Sequence, residues 1–164
     1  MRNRLFLIYL MVLCLLILNC KGKTEEDFVI ETVEKVASYA EDKDVEGLLN
    51  LLTPDYKDSA GRTVEELADL VDQYLERYPG IAIHILATKV NSLKLPEADI
   101  TTEVQLSSGA AQIFRKLVKV GGYYYRFDVK LVKKDKLWLI KSASWLSISQ
   151  YELSIRSKKN LKDK

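Results

Sequence analysis

His84 is the only histidine in the chain, and so the only side chain whose ordinary titration falls between pH 5 and 8. Beside a carboxylate it is a candidate general base; the plainer alternative is a strand residue at a pocket wall or surface. Nine tyrosines supply a second kind of chemistry, apolar rings with hydroxyl tips. Tyr56, Tyr74, Tyr78 and Tyr125 are the candidates to line a small-molecule pocket, with an ordinary aromatic core as the alternative. Tyr123, Tyr124 and Tyr125 are consecutive and must alternate between faces if extended. That puts Tyr123 and Tyr125 in one row with Phe127, Val129 and Leu131, the expected core row, and Tyr124 with Arg126, Asp128 and Lys130. Asp58 opens the run Asp58-Ser59-Ala60-Gly61-Arg62, a turn that its carboxylate is suited to order. Two cysteines and one histidine do not make a zinc site or a disulfide scaffold. The chain has no glycine-rich phosphate loop, nucleophile elbow or zinc-protease helix, so no metal or cofactor is expected.

These side chains must be positioned by a chain of 164 residues, 48% hydrophobic and 29% charged, which is the size and composition of one folded domain. Thr24 with Asp27 forms a capping pattern, followed by Phe28, Thr32, Val33, Val36, Ala37 and Ala40 at helical spacing. A second, short helix carries Val45, Leu48, Leu49 and Leu52 and ends at Thr53-Pro54. Thr63 with Glu66 caps a third, with Leu67, Leu70, Val71, Tyr74 and Leu75 as its stripe and Pro79-Gly80 as its stop. Strand patterns then run from Ile81 to about Leu95, through Ile100–Leu106, from Tyr123 to Val132 and from Leu137 to Ile148. His84 is expected on the face of Ala82, Leu86 and Val90. Residues 108–121 fit a helical face or a strand extension equally. Three helices before a long-stranded antiparallel sheet make an α+β domain over residues 25–150, with a basic tail at 151–164.

Arg2 and Arg4 precede an apolar run from Leu5 to Leu18, the plan of an export signal and too short to span a bilayer. The run stops at Ile17-Leu18-Asn19-Cys20, which resembles the lipobox of bacterial lipoproteins, with Asn19 in the place usual for Gly, Ala or Ser. The resemblance implies cleavage after residue 19 and lipidation of Cys20 with palmitate-type acyl chains. Residues 20–24 would then be a short tether, and attachment to a membrane would run through the lipid. An uncleaved anchor and an ordinary signal peptide with a chance cysteine are the alternatives. Lys21 after the cysteine, rather than Asp, points to the cell envelope's outer membrane.

The order of elements, together with Asp44-Val45-Glu46-Gly47, Leu48, Leu49, Leu52, Asp55, Tyr56, the Asp58–Arg62 turn, Trp138 and Trp145, resembles the nuclear transport factor 2-like superfamily over roughly residues 26–148. These are cone-shaped α+β barrels that include ketosteroid isomerase, polyketide cyclases and many non-enzymatic modules. The resemblance implies a pocket at the open end of the cone, between the first helix and the sheet. It matches Asp58 to the isomerase base, and it matches the two oxyanion-hole positions to Val36 and Phe127, neither of which donates a side-chain hydrogen bond. Steroid isomerisation is therefore not expected. An Asp58 inside the cone should have a raised pKa from desolvation unless a positive group such as Arg62 lies near.

Charge is divided sharply. Residues 25–76 carry 16 acidic against 4 basic side chains, and residues 77–164 carry 7 acidic against 17 basic. Lys130, Lys133, Lys134, Lys136 and Lys141 gather around one expected hairpin. Such a dipolar domain suits phosphate-rich lipid heads, an acidic partner or a second copy, or it simply solvates an edge. Export and a neutral mature chain argue against nucleic acid. Three readings remain: a lipid-anchored, non-catalytic module for a small apolar ligand or protein partner; an enzyme using Asp58 and His84 as acid and base; and an envelope component that self-assembles, for example as a homodimer through its sheet.

Overall fold

The computed structural model describes residues 22–78, 80–108, 122–149 and 152. The expected signal, Cys20, most of the ambiguous 108–121 segment and nearly all of the basic tail lie outside the described residues.

Helix α1, Glu25–Asp42, starts where its sequence says it should. The Thr24 hydroxyl accepts from the Asp27 N–H, and the Asp27 carboxylate accepts from the Thr24 N–H at 2.7 Å. Its buried face is Val29, Thr32 and Val33, with Val36 packed behind. Phe28, expected on that face, is 39% exposed at the first turn, where the Lys23 ammonium lies 6.0 Å from its ring. Lys43 takes a left-handed conformation and turns the chain into α2, Val45–Leu49, capped by the Asp44 carboxylate accepting from the Gly47 N–H at 2.8 Å. Leu52 is not part of that helix. It pairs in parallel with Ile140, so the chain from Leu51 to Ser59 runs along a sheet edge as a strap. Helix α3, Val64–Arg77, has the Thr63–Glu66 capping box and buries Leu67 and Leu75, leaving Leu70 and Tyr74 half-exposed.

The sheet is an antiparallel meander in the order β1 (Ile81–Lys94), β2 (Glu97–Ser108), β3 (Tyr123–Lys134) and β4 (Leu137–Ile148). Two bulges interrupt β1, at Leu86 and Asn91, and one interrupts β4, at Lys141. Bulges bend and twist a strand, which curves the sheet around the helices. Its inner face meets α1 and α3 through Ile100, Val129, Leu131, Trp138 and Ile140 opposite Val29, Val33 and Leu67. Tyr56 and Leu52 of the strap close the same core. Among the described residues, no helix is long and apolar enough to cross a membrane.

Candidate functional site

The last turn of α3 brings Tyr74 and Tyr78 together, ring centroids 4.5 Å apart, over the start of β1 and the end of β2. Two contacts fix that corner. The Lys43 ammonium donates to the Leu75 carbonyl at 2.9 Å, and the Ile83 N–H of β1 donates to the Glu41 carboxylate at 2.7 Å. The end of α1 is thereby tied both to α3 and to the sheet.

Between these elements lies a cavity of about 380 Å³ lined by Tyr74, Tyr78, Ile81, Leu106, Ser107, Gly122 and Tyr123. Gly122 has φ +143°, and a Cβ there would stand 2.3 Å from the Leu106 carbonyl oxygen, so glycine lets β3 begin hard against β2. Burial, and then the neighbouring Tyr125, Tyr78 and Tyr123, push the Tyr74 hydroxyl above its ordinary pKa. It therefore stays a neutral hydrogen-bonding group at physiological pH. Tyr123 is 66% exposed and forms the rim. The alternation of β3 does place it in the row of Phe127, Val129 and Leu131, but the core reaches only the far end of that row.

The expected pocket was bounded by the first helix and close to Asp58. The cavity instead takes its helical wall from α3, and Asp58 does not line it. Tyr74 and Tyr78 do line it. Tyr125 lies behind the rim, 6.3 Å from Phe127, and Tyr56 is 3% exposed in the strap, inside the main core. Leu106, Ser107 and Gly122 carried no chemical signal in the sequence beyond the glycine ahead of a strand.

Asp58 is held by its own turn. Its carboxylate accepts from the Ala60 N–H at 2.8 Å, from the Arg62 N–H at 3.0 Å and from Arg62 Nε at 2.6 Å. Burial pushes the carboxyl up, but the backbone N–H and guanidinium of Arg62 and the N–H of Ala60 outweigh it and hold it below the usual aspartate range. The Arg62 guanidinium in turn lies 5.2 Å from the Trp145 ring, on the inner face.

His84 pairs in register with Gln105, which pairs with Tyr124 and then Ile148, a row on the outer face. The bulge at Leu86 shifts the strand by one residue, so Val90 lies on the inner face with Ile85 rather than with His84. The strap holding Asp58 runs along β4, three strand spacings or about 14 Å from β1. The sheet thus separates His84 from Asp58, and no acid/base pair forms between them. Asp58 borders a second hollow of about 450 Å³, a trough on the outer face with Asp99, Asp128, Lys130 and Ser142. Among the described residues, no group of three His, Cys, Asp or Glu side chains is arranged to hold a metal ion.

No family model matches the chain, and no curated protein matches it in sequence. Solved structures do. A Bdellovibrio bacteriovorus protein, Bd1075, superposes with a TM-score of 0.61 at 16% identity over 79% of this chain and 44% of that one, so the chain spans under half of that neighbour. A candidate scytalone dehydratase from Novosphingobium aromaticivorans DSM 12444 gives 0.64 at 14% identity, covering 76% of this chain and 85% of its own. A nuclear transport factor 2-like protein from Cytophaga hutchinsonii ATCC 33406 gives 0.54 at 15% identity, covering 77% and 100%. At these identities the likeness speaks for architecture and not for activity. Helices packed on a curved four-stranded antiparallel sheet, superposing on these neighbours, give this chain the nuclear transport factor 2-like fold.

Proposed function

We propose that the chain is a lipid-anchored protein of the bacterial cell envelope whose domain is a non-catalytic module, holding a small apolar ligand in the tyrosine cavity. The observation that carries the reading is the composition of that cavity. Among the described residues its lining is three tyrosines with Ile81, Leu106, Ser107 and Gly122, and holds no carboxylate, histidine or cation; the Ser107 hydroxyl itself is buried. Acid/base chemistry needs two titratable groups facing one reacting atom. The two best candidates, Asp58 and His84, lie at opposite edges of the sheet, beside β4 and on β1, and Asp58 is occupied by Arg62. A cavity walled by tyrosine rings and aliphatic side chains, with hydroxyl groups among them, is instead suited to enclosing and orienting a ligand. The lipobox-like Ile17–Cys20 run supports the anchor, and Lys21 supports the outer membrane as its address.

The test is binding of the neutral fluorophore N-phenyl-1-naphthylamine to the purified chain. Saturable binding that Leu106→Trp abolishes by filling the cavity, with the circular dichroism spectrum unchanged, is the expected result. Binding untouched by Leu106→Trp would remove the reading. The dehydratase-like neighbour keeps an enzyme as the second reading, with Asp58 as its weakest point. Turnover of any substrate that survives Asp58→Asn and His84→Ala would remove that pair from it.

A further inference from the structure

The N-terminus of α1 does not lie near the cavity. The Glu25 carboxylate pairs with the Lys133 ammonium and accepts from Trp138 Nε1 at 3.0 Å, both at the β3–β4 hairpin tip. The Lys133 N–H donates to the Pro96 carbonyl at 2.7 Å, which joins that tip to the β1–β2 tip. Three separate pieces of chain are therefore fastened at one end of the sheet: both hairpin tips and the start of α1.

That end is apolar where water would be expected. Leu95 is 64% exposed and Leu137 is 63% exposed, the most exposed large aliphatic side chains among the described residues, with Leu93 beside them and Phe28 at the helix start. Lys94, Lys134 and Lys136 are exposed around them, interspersed with Glu97 and Asp135. Exposed leucines with lysines among their neighbours make an interfacial pattern: the apolar chains enter the acyl boundary while the ammonium groups stay level with phosphate.

We propose that these two hairpin tips dock on the phospholipid surface to which the chain is attached. The proposal rests on the lipid-anchor reading for its geometry. Cys20 precedes Thr24 by four residues, a reach of about 14 Å at most, so a lipid on Cys20 holds this end of the domain at the bilayer. A surface held at a membrane gains by burying its exposed leucines there, and the lysines match the phosphate layer. Because β3 runs from Tyr123 to Lys134, about 36 Å at strand spacing, the tyrosine cavity opens at the end away from the bilayer.

The test uses the full chain reconstituted into vesicles of phosphatidylethanolamine and phosphatidylglycerol, part of the lipid brominated in the upper acyl chain. A tryptophan is introduced in separate proteins by Leu95→Trp, Leu137→Trp and, as the distal control, Leu146→Trp, which is 48% exposed near the far end of β4. Emission is compared with the unsubstituted chain to subtract Trp138 and Trp145. Quenching several-fold stronger for L95W and L137W than for L146W is expected, falling to the level of L146W when Leu95→Asp is added to L137W. Equal quenching at 137 and 146 would overturn the proposal, as would absent quenching with two copies cross-linking through their tips. Intact mass reports the anchor separately. Missing acyl mass on Cys20 with position-dependent quenching retained would remove the anchor and keep the docking surface.

Discussion

Asp58 and Arg62 form a closed loop of contacts four residues long: Arg62 donates its backbone N–H and its Nε to the carboxylate, while the Asp58 N–H donates to the Arg62 carbonyl at 3.2 Å. The carboxylate is wholly buried, and the arginine side chain is one-third exposed. A residue matched to a catalytic base is here a clasp that fixes the strap ahead of α3.

Asp58→Ala should therefore cost stability. Breaking a buried ion pair costs about 3–5 kcal/mol, and the partial hydration of Arg62 reduces this to about 2–4 kcal/mol. Because the folded carboxyl titrates below its ordinary value of 3.8, the contribution is fully present above that pH and is lost as pH falls through the lower folded value. Urea melts of the two proteins should differ at pH 6 and converge toward pH 3. A constant difference across that range would show that the charge is not what Asp58 contributes.

Tyr56 is predicted to ionise late. Burial, and then the Asp58 carboxylate, push its hydroxyl up to about 12. A raised folded value contributes stability that is complete below the ordinary pKa of 10 and lost as pH rises toward 12. Absorbance titration at 295 nm should contain one late component that Tyr56→Phe deletes. Its persistence in that variant would assign it elsewhere.

Gly122→Ala should be destabilising by about 2–4 kcal/mol, since the residue has a left-handed φ and the new methyl group meets a backbone oxygen that cannot yield. Thermal melts read the loss. Gly61→Ala provides the comparison: its φ is +81° but nothing lies within 4 Å, so it should cost less.

Cys20→Ala should leave an unprocessed precursor that no longer incorporates labelled fatty acid. Processing and membrane attachment unchanged in that variant would remove the lipoprotein reading.

Much of the fold was legible because local chemistry and global packing agree. Thr24–Asp27 and Thr63–Glu66 mark two helix starts, and period-two patterns mark four strands. The misreadings came where contacts distant in sequence decide. Nothing local announces the bulge at Leu86, which moved Val90 to the other face from His84. Leu52 fits a helical stripe, yet its partner is Ile140 in the last described strand. Phe28 and Val29 are both apolar at the start of α1, and only the position of the sheet selects Val29 for the core. The site was half legible. Tyr74 and Tyr78 stand out as tyrosines able to line a pocket, whereas Leu106, Ser107 and Gly122 are ordinary residues made into a wall by the pairing of β2 with β3.

The strap along β4 also bears on when the fold can close. Leu51, Thr53, Lys57 and Ser59 spend their backbone hydrogen bonds on Ile140, Lys141 and Ala143. The strap, made early, therefore has no edge to attach to until the last described strand arrives. Closing so long a loop is entropically slow and is rewarded only at the end. A chain stopped short of Leu137 would leave the strap without its partners and would take Trp138 from Glu25, and the strap should be the first segment to exchange its amide hydrogens when the domain opens.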